Sequence, residues 1–108
     1  MANPKSKSIP VLCIYNVKPE KADEFRRVLA KHQPAMQKAG LVGPEPVQYW
    51  TGHAHRGNKQ CFVELMYWKD ETSASRAHES PDVMAVWEPL GKLCQDDMEF
   101  IDLKSFSF

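Results

Sequence analysis

Two stretches of this chain carry apolar side chains at both parities. In residues 9–17, IPVLCIYNV, the side chains of Ile9, Val11, Cys13, Tyr15 and Val17 share one direction, while Leu12 and Ile14 take the other with Asn16 as the polar exception. In residues 61–68, CFVELMYW, positions Cys61, Val63, Leu65 and Tyr67 oppose Phe62, Met66 and Trp68, and only Glu64 interrupts the run. Strands of this kind are covered on both faces. Residues 47–55 alternate as a third strand with Val47, Tyr49, Thr51, His53 and His55 on one face, and a fourth is predicted over 98–105. Arg56-Gly57-Asn58-Lys59 is a polar turn, so strands two and three form a hairpin.

Between the strands the period changes to three and four. Ala22, Phe25, Val28, Leu29, His32, Met36 and Ala39 make one apolar stripe, predicting a helix over 20–39 with His32 on its buried face. Pro19 suits its first turn, and Glu20 and Asp23 complement the helix dipole. Pro34 removes a backbone donor and kinks the helix beside His32, and Gly40 ends it. Residues 41–46, with one glycine and two prolines, form a connection. A second helical region starts at an Asp70 cap and runs to Glu79. Ser80-Pro81 then starts a fresh segment whose stripe is Val83, Val86, Trp87, Leu90 and Cys94, bent by Pro89.

Strand, helix, strand, strand, helix, strand is the ferredoxin-like order. The fold class is α+β, a βαββαβ antiparallel sheet with both helices on one face. Residues 1–8 read as a flexible lead-in and 9–108 as a single domain. One sheet face stays uncovered, and leaving its apolar residues to water would expose an unusually large patch. A second subunit is the predicted cover, making a homodimer in which the final strand or the tail residues Phe106 and Phe108 reach the partner.

Charge narrows the partners. Lys plus Arg and Asp plus Glu both number 14, so no net field favours nucleic acid or an anionic membrane, and a small molecule is the expected ligand. Three cysteines without a C-x-x-C pair, two of them inside predicted strands, read as reduced core residues. The polar start MANPKSKS leads into an apolar stretch too short for a signal-peptide core or a membrane span, so the expected location is the cytoplasm.

Several features together resemble the antibiotic biosynthesis monooxygenase family of dimeric α/β barrels. They are the first strand running into Val17-Lys18-Pro19, Phe25 after an acidic helix start, Ala39-Gly40-Leu41 at the helix end, and the series Glu64, Trp68, His78, Ser80-Pro81. The resemblance spans 9–106; the proline-rich approach to the second strand and the two histidines at its end depart from it. It implies a dimeric barrel and a cofactor-independent monooxygenase acting on a small phenol- or quinol-like compound. It also leaves open a non-catalytic, stress-related or ligand-binding dimer, or an isomerase. A haem-degrading role fits poorly, since Leu12 and Trp87-Glu88 stand where that chemistry would need an asparagine and a ligand histidine.

Within that frame His78, four residues after Ala74, is expected to face Trp68 and Glu64 and to act as the base. Its bland alternative is a core or capping histidine. Asn16 is expected to hold the substrate anion, as a first-strand asparagine does in some relatives. His32, matched by a histidine in some members, the isomerase included, has the same ambiguity as His78. Glu64, amid apolar neighbours, demands a partner, and a backbone or arginine group in the sheet is the favoured one. Trp68 and Trp87 are the expected pocket walls, with Tyr67, Tyr49 and Trp50 as further aromatics that are more often simply core. His53 and His55 could reach one metal, but no third ligand is evident, so neither metal nor cofactor is expected.

Overall fold

A computed structural model describes residues 8–108; the predicted lead-in lies almost wholly outside them. The strands are β1 (Ile9–Tyr15), β2 (Gln48–Ala54), β3 (Lys59–Trp68) and β4 (Glu99–Asp102). The helices are α1 (Ala22–Leu29), α2 (His32–Lys38), α3 (Ser73–His78) and α4 (Pro81–Lys92). The sheet order is β2-β3-β1-β4 with every neighbour antiparallel. This is the α+β ferredoxin-like arrangement.

The register decides which side chains meet. Val11 lies opposite Met66, Cys13 opposite Glu64 and Tyr15 opposite Phe62. These residues share the face covered by the helices, where Val11, Cys13, Tyr15, Glu64, Met66 and Trp68 are buried against Phe25, Met36, Val83 and Leu90. Each fully buried apolar side chain of that size contributes roughly 1.5–3 kcal/mol. The other face carries Leu12, Ile14, Val63, Leu65 and Tyr67, all half-buried, with Trp50 49 % and Ile101 39 % exposed at its margins.

The helix predicted over 20–39 is three pieces: a 3₁₀ turn at Pro19–Lys21, then α1, then α2. The break falls at Ala30 and Lys31, ahead of Pro34 rather than at it. Pro34 has no N–H to return to the carbonyl four residues earlier, so the chain restarts and Pro34 sits in the first turn of α2, where no donor is required. The far end closes as expected. Gly40 adopts φ 71°, its N–H reaches the Gln37 carbonyl at 3.0 Å, and the Leu41 N–H reaches Met36 at 3.0 Å.

Other boundaries shift for local reasons. β1 ends at Tyr15, and Val17 makes only an isolated bridge with Cys94. Asp70 does not cap α3. Its carboxylate instead accepts from the Thr72 N–H at 2.8 Å and the Thr72 hydroxyl at 2.6 Å, closing a tight turn before the helix. Ser80 does cap α4, accepting from the Val83 N–H at 3.3 Å, and Pro89 is carried inside that helix without ending it. β4 is shorter than predicted, because only residues 99–102 pair with β1.

Candidate functional site

Glu64 is fully buried at the centre of the sheet, and side chains from β1 and α2 bond to it. The Tyr15 hydroxyl, from β1, donates to Oε1 at 2.7 Å. His32, the first residue of α2, brings Nδ1 within 3.1 Å of both carboxylate oxygens. On the other side of the same imidazole, Trp87 of α4 donates its indole N–H to Nε2 at 2.8 Å. An Nε2 that accepts a hydrogen bond carries no proton of its own, so the proton of His32 sits on Nδ1 and points at Glu64. His32, Glu64 and Tyr15 are each 0 % exposed, and the chain of bonds links both helical regions to the two central strands.

A fourth group approaches from β2. Tyr49 lies directly opposite Glu64 in the β2–β3 register. Burial first, then the Glu64 charge and hydrogen bonding toward it, push the Tyr49 phenol well above its ordinary value. Burial and the same carboxylate raise Tyr15 and Cys13 too. All three therefore keep their protons; the Tyr15 phenol donates to the buried carboxylate, and the Tyr49 phenol lies across the strand pair from it.

Unlike Tyr15, Tyr49 is 46 % exposed. It forms part of the wall of a groove of about 660 Å³ between the α1–α2 helices and the edge strand β2, a size typical of small-molecule sites. Pro34 lines the groove, so the helix break opens space there. The aromatic wall is Tyr49 and Phe62, with the chain at Trp50 and Thr51 between them; Arg26, Gln33 and Gln37 supply polar groups from the helices.

The residues singled out in the sequence are distributed differently from expectation. His78 does not face Trp68 across the sheet and helix layer. Ser73 and Ala77 are the buried residues of α3, and His78 is exposed with its ring edge-on to Trp87 at 5.1 Å. The three- and four-residue spacing fixed a helix but not which side of so short a one turns inward. Asn16 lies past the end of β1, its amide 3.4 Å from Asp96, beside a separate hollow of about 220 Å³ that also meets Lys59 and Gln95. Trp68 is buried core, and Tyr67, its neighbour in sequence, points to the opposite sheet face. Trp87 reaches His32 rather than the groove. Glu64 finds side chains, not an arginine or backbone group.

Tyr15, Gln33 and Arg26 were not singled out at all. A signal existed for Tyr15: a carboxylate in an apolar strand requires a donor, and a tyrosine on the buried face of the adjoining strand is the nearest candidate. His53 and His55 lie 5.7 Å apart between ring centres at the hairpin. Among the described residues, no group of three or more histidine, cysteine or acidic side chains could hold a metal.

No family model matches this sequence, and no curated protein matches it. Solved structures do. One is a conserved protein of Methanosarcina mazei, 20 % identical with a TM-score of 0.70, the match covering 94 % of this chain and 96 % of that one. Another is an antibiotic biosynthesis monooxygenase, 12 % identical with a TM-score of 0.67, covering 92 % and 99 %. The chain shares the fold of that monooxygenase. A dimeric ferredoxin-like protein of unknown function from Jannaschia is similar as well, 12 % identical with a TM-score of 0.67, covering 92 % and 100 %. At such identities the likeness is one of fold, on which different chemistries are built. Among the described residues, no helix is long and apolar enough to cross a membrane.

Proposed function

We propose that this protein is a cofactor-independent monooxygenase of a small quinol- or phenol-like compound, working as a homodimer in the reducing cytoplasm. The observation that carries the proposal is the path from the groove to a buried carboxylate: Tyr49 borders the groove and Glu64 lies behind it. A substrate hydroxyl resting on the Tyr49 oxygen passes its proton to Tyr49 as Tyr49 passes its own to Glu64. Tyr15 and His32 hold the carboxylate in place, and Trp87 holds His32. Exposed His78 is left outside this path.

The electrons come from the substrate. Its anion reduces dioxygen; one oxygen atom replaces a ring hydrogen as a hydroxyl, and the ring becomes a quinone. These two two-electron oxidations match the four-electron reduction of dioxygen, whose second atom leaves as water with the two quinol protons. The protein deprotonates, holds the anion and limits water.

The uncovered sheet face supports the dimer, since Leu12, Ile14, Val63 and Leu65 form an apolar surface that a second copy would bury. The likeness to a protein described as dimeric agrees with it. A second reading, a ligand-binding dimer without chemistry, is favoured by one observation: Glu64 already has donors from Tyr15 and His32 and would be stable with no substrate. Oxygen uptake against a panel of naphthoquinols separates the two. The oxygenase consumes oxygen stoichiometrically with quinol above the rate of autoxidation; the binding protein leaves that rate unchanged or lowers it.

A further inference from the structure

Two polar groups on the helical side of the groove lack partners among the described residues. The Gln33 side-chain oxygen is shielded from solvent and accepts no hydrogen bond. A buried unpaired acceptor costs free energy that a donor from a ligand would recover. Arg26 borders the same groove, and the ion pairs of the described residues, Lys21 with Glu24, His32 with Glu64 and Lys38 with Asp82, do not include it. The helical side of the groove thus carries an uncompensated cation and an unpaired amide oxygen that a turn of the half-buried Gln33 side chain would bring to its surface, and the sheet side presents flat aromatic surface from Tyr49 and Phe62.

From this arrangement we infer that the groove takes an aromatic quinol bearing a carboxylate, a dihydroxyaryl acid, rather than a neutral quinol. The inference rests on the groove being the substrate site proposed above. One hydroxyl meets the Tyr49 oxygen, and the second donates to Gln33 Oε1 once that side chain turns toward the groove it lines. The carboxylate pairs with the Arg26 guanidinium, whose planar fork suits it. Glu64 does not repel that acid group, because the Glu64 carboxylate is fully buried behind Tyr49 while Arg26 lies on the helical wall.

Binding is measured by calorimetry under nitrogen, so that turnover plays no part, with a dihydroxynaphthoate, its methyl ester and its two monomethyl ethers. The wild-type protein is expected to bind the acid about tenfold more tightly than the ester, with the difference shrinking as salt rises. Arg26→Gln, at an exposed position, removes the acid preference. Gln33→Leu retains it, but abolishes the roughly tenfold loss that one monomethyl ether shows on the wild type. Equal binding of acid and ester by the wild type, no binding of either, or an acid preference that survives Arg26→Gln would overturn the inference. The two readings fail separately. If neutral quinols are oxidised while acid and ester bind alike, the oxygenase stands and the carboxylate inference falls. If the acid is preferred but no quinol is oxidised, the inference about the ligand stands and the oxygenase falls.

Discussion

Trp87 gives its indole proton to Nε2 of His32 at 2.8 Å, and so determines which imidazole nitrogen faces Glu64. With Nε2 occupied as an acceptor, Nδ1 is the donor, and it lies 3.1 Å from both carboxylate oxygens. A tryptophan on α4 thereby sets the proton arrangement of an acid on β3. In imidazole nitrogen NMR at neutral pH, His32 is expected to show a protonated Nδ1 and a bare Nε2. The opposite tautomer would contradict the network.

Glu64→Gln tests how tightly that arrangement is tied. The amide places an N–H₂ where the His32 N–H needs an acceptor, and His32 cannot reverse its tautomer while Trp87 donates to its other side. The expected loss is about 2–4 kcal/mol in urea unfolding, as for breaking a buried polar pair. Replacing both Glu64 and His32 by leucine should recover part of the loss. A Glu64→Gln protein as stable as the wild type would show that the bonds are not exclusive.

Alkaline unfolding follows from the raised phenol and thiol. Tyr15 and Cys13 hold their protons more tightly folded than unfolded, through burial first and the Glu64 charge second. The unfolded chain therefore deprotonates first as pH rises past their ordinary values, 9.0 for Cys13 and 10.0 for Tyr15. Stability is fully present below about pH 9 and falls above it. Denaturant midpoints taken across that range should decline, and Tyr15→Phe should show a shallower decline from a lower starting point. An unchanged slope in Tyr15→Phe would remove Tyr15 as a source.

Much of the fold could be read directly, because the double-sided apolar runs of β1 and β3 and the stripe through Phe25 and Met36 each admit few arrangements. Gly40 and Ser80 act as the caps their types suggest. The site was less legible, for a geometric reason. Glu64 signals in sequence that it needs a donor, but Tyr15, His32 and Trp87 lie 49 residues before it, 32 before it and 23 after it, and only the β1–β3 register and the α2–α4 packing unite them. His78 shows the converse. A suitable residue type on a six-residue helix was placed one position off the inward face, where Ala77 sits.

The uncovered sheet face predicts assembly. Ile14 and Leu65 occupy its middle, paired with Val63 and Leu12 across the strands. Sedimentation at micromolar concentration should give a dimer, and Leu65→Asp should give monomers or aggregates by placing a charge in the buried interface. A wild-type monomer at that concentration would leave the apolar face unexplained.

Oxygen uptake by Tyr49→Phe tests the proposed function most directly. Tyr49 is partly exposed, and phenylalanine preserves its ring, so the melting temperature should stay close to that of the wild type while Tyr49 can no longer relay a proton to Glu64. The predicted result is a fall in kcat on a quinol substrate of roughly 10²- to 10⁴-fold, the usual contribution of acid–base catalysis, with substrate binding little changed. A wild-type protein that oxidises a quinol with the same kcat after Tyr49→Phe would contradict the path from the groove to Glu64.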